Sequence, residues 1–244
     1  MKDYWSIRAT KYEKLQWVNN KNSLNALVKF SDIRSSDKVL DLGCGTGAVS
    51  MAIINKAKHV TAVDYSQAML DKFQPYDISR LTVKQLDVEK DKIEDKYNII
   101  VSRMLFHHLK QFNKVFKKCY NALLPSGKLI IQEGGVINKT EIGIIKWYAN
   151  MMKLKEDRHN FTIEELYEYY EKAGFKNIQL QTIIDNTFSI NDWLENSGQD
   201  KKIQKKIYEL HLNAPKEVKS FYNMRINNGN IIIDSRTLLI KGTK

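Results

Sequence analysis

Three glycines at alternate positions, Gly43, Gly45 and Gly47, follow a carboxylate at Asp41 and a run of buried-type residues, Val39-Leu40. Without side chains on those glycines, a ligand can approach the backbone closely. The residues behind them, Ala48 to Ala57, have a helical composition, so backbone N–H groups and the positive end of a helix dipole meet at one spot. Asp64 comes 17 residues after Gly47, and Asp87 follows later. An acidic residue about 20 positions after such a turn is placed to accept from both hydroxyls of a ribose. Asp87 can accept from an exocyclic amine, and Met69 can lie against a purine face. The third glycine comes one residue early for a dinucleotide turn, and Asp41 would repel a pyrophosphate. It would suit an ammonium or a sulfonium. The pattern therefore points to a nucleoside-type cofactor that carries a cation.

Strands must position these groups. Short apolar runs at Lys38–Leu42, His59–Asp64, Leu81–Asp87, Tyr97–Ser102 and Lys128–Gln132 alternate with helical segments. Repeated βα units of this kind predict a parallel sheet covered on both faces. The acidic residues then fall at strand C-terminal ends, where ligands bind in open α/β sheets. Ser66 and Thr162 are expected to cap helices, the latter with Glu165 at capping-box spacing. The last third differs: helices over Glu141–Leu154 and most of 190–226, a strand at Asn177–Ile184, a turn at Asn228-Gly229, and a final strand Ile231–Ile240 with an irregularity near Asp234-Ser235.

The stretch Val39–Gly47 resembles the first motif of class I S-adenosylmethionine-dependent methyltransferases. The resemblance continues through Val63–Leu70, Gln85–Val88, Phe106–Leu109 and Leu123–Leu129, and it covers about residues 36–133. It is closest to the small-molecule branch that includes quinone-biosynthesis C-methyltransferases. Ser126 stands where that branch usually has glycine. The resemblance implies a Rossmann-like α/β fold with a seven-stranded, mostly parallel sheet of order 3-2-1-4-5-7-6, the last strand antiparallel. It implies S-adenosyl-L-methionine as cofactor, the methionine end on the loop, the ribose on Asp64 and the adenine on Asp87 and Val88. The expected cofactor-binding set is Asp41, Gly43, Cys44, Gly45, Gly47, Asp64, Tyr65, Met69, Asp87, Val88 and Arg103.

Methyl transfer from a sulfonium mainly requires alignment of the nucleophile and exclusion of water. A base is needed only when the nucleophile arrives protonated, and His107 and His108 after the fourth strand are the candidates. Arg103 is placed to pair with an anionic substrate or with Asp87. The acceptor is expected to meet Tyr4, Trp5, Arg8, Tyr12, Glu133, Trp147, Tyr222 and Arg225. The chain thus divides into a helical lid over 1–30 and a methyltransferase domain over 31–244, with helical insertions at about 136–160 and 190–226. An enclosed, aromatic-lined site for a small organic acceptor is the expectation.

Composition sets the alternatives. The net charge of +11 is the one support for an RNA or protein acceptor. Val101-Ser102-Arg103-Met104 lacks the proline pair of nucleic-acid amino methyltransferases, so nucleic acid is not favoured. A non-catalytic cofactor-binding module is the third reading. Two cysteines support neither a disulfide framework nor a zinc site, and no metal is expected. The N-terminus has no apolar signal-peptide core, and no apolar run is long enough to span a membrane, so a cytoplasmic location is expected.

Overall fold

The structure is a computed structural model that describes residues 9, 12, 15, 17–75 and 79–244. Its centre is β1 (Lys38–Leu42), whose last four residues are all buried. The strand pairs in parallel with β2 (His59–Asp64) on one side and β4 (Tyr97–Arg103) on the other. Burial on both faces is why Val39, Leu40 and Leu42 are apolar, with Asp41 the one polar residue among the buried four. Leu40 and Leu42 face one core layer with α4 (Phe112–Ala122) and α6 (Ile163–Ala173). Val39 faces the other, with α1 (Lys21–Ser31) and α2 (Ala48–Ile53). Asp41 alternates with Leu40 and Leu42, so its side chain falls on the α2 side and meets Ser50.

The full order is β3-β2-β1-β4-β5-β8-β6, where β3 is Leu81–Gln85, β5 Leu123–Gly134, β6 Lys176–Ser189 and β8 Asn230–Thr243. β8 runs antiparallel to both neighbours. This is the expected sheet with one addition, β7 (Arg225–Asn227), which pairs with β8. The sequence places that stretch at the end of the helical insertion. Asn228 and Gly229 take φ values of 47° and 75°, the left-handed pair of a tight hairpin, and so fold 225–227 back onto β8.

Two further expectations are corrected. β3 stops at Gln85 and buries only Leu81, because an edge strand has packing on little of its length. The irregularity expected near Asp234-Ser235 is present: the register shifts between the pairs Asp185–Ser235 and Phe188–Ile233, with the extra residue on β6. Ser66 precedes α3 (Gln67–Leu70) but makes no side-chain cap, whereas Thr162 Oγ1 accepts from Glu165 N–H at 3.1 Å as expected. Ser126 sits within β5 at φ 61°, a left-handed position that explains the usual glycine.

The helices that follow β5 and β6 form their own core. α5 (Ile142–Lys155), α7 (Ile190–Glu195), α8 (Lys201–Leu212) and α9 (Lys216–Phe221) pack Ile144, Met151, Leu194, Ile207 and Val218 together with Ile231 and Ile233 of β8. β8 pairs with β5 only as far as Thr237 and with β7 only from Ile232. Residues 233–236 between those ladders lie beneath the helical unit. Among the described residues, no helix is long and apolar enough to cross a membrane.

Candidate active site

Two cavities adjoin at the C-terminal edge of the parallel strands. The first has a volume of about 210 Å3 and is lined by Gly43, Gly45, Asp64, Tyr65, Met69, Asp87, Val88 and Arg103 from the expected set. Leu42, Leu86, Glu89, Leu105 and Leu109 also line it. The glycine loop is fixed from behind: the N–H groups of Gly43 and Cys44 both donate to Val63 O, at 2.8 and 2.9 Å. Gly45 N–H donates to Asp64 Oδ2 at 2.9 Å, and Gly47 N–H to Cys44 O. With four N–H groups spent inside the protein, the turn is no cradle for a pyrophosphate. A Cβ on Gly43 would come within 2.8 Å of Leu105, so bare backbone is required there.

Asp64 also accepts from Ser66 N–H at 2.8 Å. Burial raises its pKa, while the N–H donors of Ser66 and Gly45 work the other way. Asp87 accepts from Glu89 N–H and contacts Lys90 Nζ at 3.0 Å. Partial burial acts to raise the Asp87 pKa, but Lys90 and the N–H donors outweigh it and hold it below the ordinary value.

Three residues of the expected cofactor set lie off this cavity. Asp41 is beneath the loop, 1% exposed, with Oδ2 accepting from Ser50 Oγ–H at 2.6 Å and Oδ1 without a hydrogen-bond partner. Burial pushes its pKa up to about 7. Cys44 is buried on the far side of the loop, and burial raises its thiol pKa. Gly47 begins α2 at φ 90°, and a Cβ there would overlap the Phe73 ring at 2.2 Å. Its role is backbone geometry and packing. Arg103 does not pair with Asp87. Its Nη1 and Nη2 donate to the carbonyls of Val18 and Trp17, tying the N-terminal segment to the end of β4. Burial lowers its pKa to about 10.

The second cavity, about 140 Å3, lies under the helical unit. Tyr12, Trp147 and Tyr222 of the expected acceptor set line it, together with Tyr148, Met151, Met152, Trp193 and His211. Tyr12, Met104 and His108 belong to the walls of both cavities, so the two spaces share a boundary. Tyr4, Trp5 and Arg8 fall outside the described residues. Arg225 lies on exposed β7, donating to Asn186 O and paired with Asp234, because the hairpin turns it away from the cavity.

Glu133 lines neither cavity. It is 1% exposed behind the wall, where Oε1 accepts from Phe106 N–H and Oε2 lies 2.5 Å from His107 Nδ1. Burial pushes its pKa up to about 7, against the pull of Arg158 and His108. His107 and His108 do reach the second cavity, their rings 4.0 Å apart. One ligand atom each from His107, His108 and Glu156 lie within 4.8 Å of one another. Lys155 Nζ at 2.8 Å and Arg158 Nη1 at 3.6 Å already compensate Glu156, which makes a divalent cation an unfavourable occupant.

Sequence reasoning missed Lys155, Glu156, Arg158 and Arg236, all in the second cavity's wall. Arg236 carried a signal: Asp234-Ser235-Arg236-Thr237 is a polar break in an apolar strand, and it fills the gap between the two ladders of β8. Arg158 sits in a charged loop with no periodicity to mark it.

Residues 13–180 match the family described as a methyltransferase domain. The chain belongs to that family, and the cofactor of the domain is S-adenosylmethionine. Among particular relatives, it is 27% identical over 158 residues to a malonyl-[acyl-carrier protein] O-methyltransferase of Bacillus cereus, covering 62% of this chain and 56% of that one. The chain thus spans little more than half the length of that curated relative. Its fold is similar to that of the YcgJ protein of Bacillus subtilis (TM-score 0.82, 18% identity, 91% and 98% of the two chains). It is also similar to a Haemonchus contortus phosphoethanolamine N-methyltransferase 2 solved with phosphomonomethylethanolamine and S-adenosylhomocysteine (TM-score 0.66, 18% identity, 97% and 56%).

Proposed function

We propose that the protein methylates a small organic acceptor held in the second cavity. The observation that carries this reading is the shared boundary: Tyr12, Met104 and His108 line both spaces, so an acceptor there adjoins the donor. When bound, the cofactor supplies a methyl group on a sulfonium, which passes to the acceptor's lone pair as the carbon–sulfur electron pair returns to sulfur. Gly43, Gly45, Asp64 and Asp87 hold the donor. The aromatic wall orients the acceptor and excludes water, effects worth roughly 7–11 kcal/mol when the geometry is near attack.

His107 is the group for an acceptor that arrives protonated. An ionised Glu133 accepts from Nδ1–H, which leaves Nε2 as the base; the acceptor's proton moves to Nε2 as the new bond forms. Glu133 is a positioning residue in this scheme. The quinone-type acceptor suggested by the sequence resemblance is one member of the small-molecule class. The relatives' names include an acyl-carrier-bound malonyl group and phosphoethanolamine. The test is methyl incorporation from labelled S-adenosylmethionine into separated small-molecule, RNA and polypeptide fractions of a cell extract. Label is expected in the small-molecule fraction; label confined to RNA or polypeptide would overturn the assignment.

A further inference from the structure

The second cavity concentrates positive charge that its own wall does not balance. Lys155, Arg158 and Arg236 line it, and among the described residues Glu156 is the one carboxylate beside them in that wall. Lys155 is 5% exposed and the Arg158 side chain 9%, so both cations are largely withdrawn from water. Both lean on the same Glu156, at 2.8 and 3.6 Å. Arg158 Nη2 donates to Gly134 O at 3.1 Å, but its buried Nε has no hydrogen-bond partner. Arg236 repeats the arrangement: Nη2 donates to Phe221 O at 3.3 Å, the guanidinium lies 4.7 Å from the Phe221 ring centre, and its buried Nε also lacks a partner.

Buried charges are ordinarily paired, and an unmatched guanidinium N–H is costly. Arginine presents a planar fork suited to oxyanions. Glu133 lies behind the wall, where Phe106 N–H and His107 Nδ1 engage its two oxygens, so it is not presented to the cavity. Among the described wall residues, three cations face one carboxylate.

We propose that the acceptor is an oxyanion, a carboxylate or phosphate compound, whose charged group is anchored by Arg158 and Arg236 while its nucleophile faces His108 and the donor cavity. This rests on the assignment of the second cavity to the acceptor. An oxyanion would accept from the guanidinium ends of Arg158 and Arg236 and restore charge balance. The aromatic and methionine residues of the same wall would hold the remaining apolar body.

Trp147 and Trp193 line the cavity and report on its occupancy by fluorescence. The probes are benzoate, phenyl phosphate and the neutral benzamide, titrated in the presence of S-adenosylhomocysteine. At least one anion is expected to bind tenfold or more tightly than benzamide, and which one distinguishes carboxylate from phosphate. Arg236→Met is expected to remove that advantage while S-adenosylhomocysteine affinity stays unchanged. Arg158→Met, checked for an intact thermal transition, is the second variant. Benzamide binding as tightly as both anions, no binding by either anion, or a preference that survives both substitutions would overturn the proposal. Neutral small molecules as the labelled products would do so while leaving the enclosed-acceptor assignment standing; label found only in RNA or polypeptide removes that assignment itself.

Discussion

Glu133 Oε2 lies 2.5 Å from His107 Nδ1, although 26 residues separate them in the chain. The end of β5 supplies the carboxylate, and the short 3-10 turn Phe106–His108 after β4 supplies the imidazole. Adjacent parallel strands bring the two together beneath the second cavity. In the proposed mechanism the carboxylate fixes the tautomer of the ring, and Nε2 is the nitrogen that takes the proton.

His107→Asn is therefore expected to lower kcat by roughly 10²–10⁴ toward an acceptor that must lose a proton. Glu133→Gln should lower it less, by roughly 10–100-fold, because the ring remains but its tautomer is no longer imposed. Neither change should alter S-adenosylmethionine affinity measured by calorimetry. A pH–rate profile separates positioning from folding: its acidic limb should move in Glu133→Gln. Full kcat in His107→Asn would remove the base from the mechanism.

Asp64 both faces the donor cavity and holds the loop through Gly45 N–H. Asp64→Ala should weaken S-adenosylmethionine binding by roughly 10–100-fold, the worth of one or two hydrogen bonds to a charged acceptor. Asp64→Asn keeps one acceptor oxygen and should lose less. NAD should show no binding in the same calorimetric experiment, since the N–H groups of Gly43, Cys44, Gly45 and Gly47 are committed internally. Unchanged affinity in Asp64→Ala would show that the ribose lies elsewhere.

Gly47→Ala combines a left-handed backbone with a collision against Phe73. Strain of about 1–2 kcal/mol and overpacking of about 1–3 kcal/mol should add, and the thermal transition should fall accordingly. Phe73→Leu introduced into Gly47→Ala should recover part of the second contribution and none of the first. A Gly47→Ala protein as stable as the parent would refute the packing role.

His211 donates Nδ1–H to Ile207 O at 2.8 Å, and burial lowers its pKa from 6.5 to about 4. Between those values the unfolded chain binds more protons than the folded one, so this group's contribution to stability rises with pH. The contribution is intact above about pH 6.5 and is lost progressively on acidification toward pH 4, by up to about 3 kcal/mol. Asp41 and Glu133, whose pKa values are raised to about 7, act in the opposite direction as pH falls from neutrality. The measurement is therefore a difference: His211→Phe should show a shallower loss of stability between pH 6.5 and 5 than the parent. Parallel curves would contradict the buried neutral imidazole.

The strands that build the donor cavity were legible because burial on both faces leaves long apolar runs, as in Val39–Leu42 and Ile99–Val101. Edge strands carry no such mark: β6 extends to Ser189 through residues that are largely exposed, and β7 depends on the conformation of Asn228-Gly229. Gly43, Asp64 and Asp87 were readable from local spacing. The acceptor cavity was not, because its groups come from distant segments. Arg158 follows α5, Arg236 interrupts β8, and only the packing of the helical unit places them in one wall. Glu133 was expected to meet the acceptor, but it lines neither cavity and instead meets His107, a partner across β4 and β5 that has no signature in spacing.

Tyr12, Met104 and His108 each present a surface to both cavities. A side chain that settles against one ligand thereby sets the shape offered to the other, so the two binding equilibria are thermodynamically linked. Linkage is reciprocal: whatever factor the donor contributes to acceptor affinity, the acceptor returns to donor affinity. Exchange of S-adenosylmethionine for S-adenosylhomocysteine removes a charge and a methyl group at that common wall. In the proposed function, the product-bound protein would then hold its acceptor with a different affinity from the substrate-bound one, and the three residues of the common wall would govern release as well as alignment.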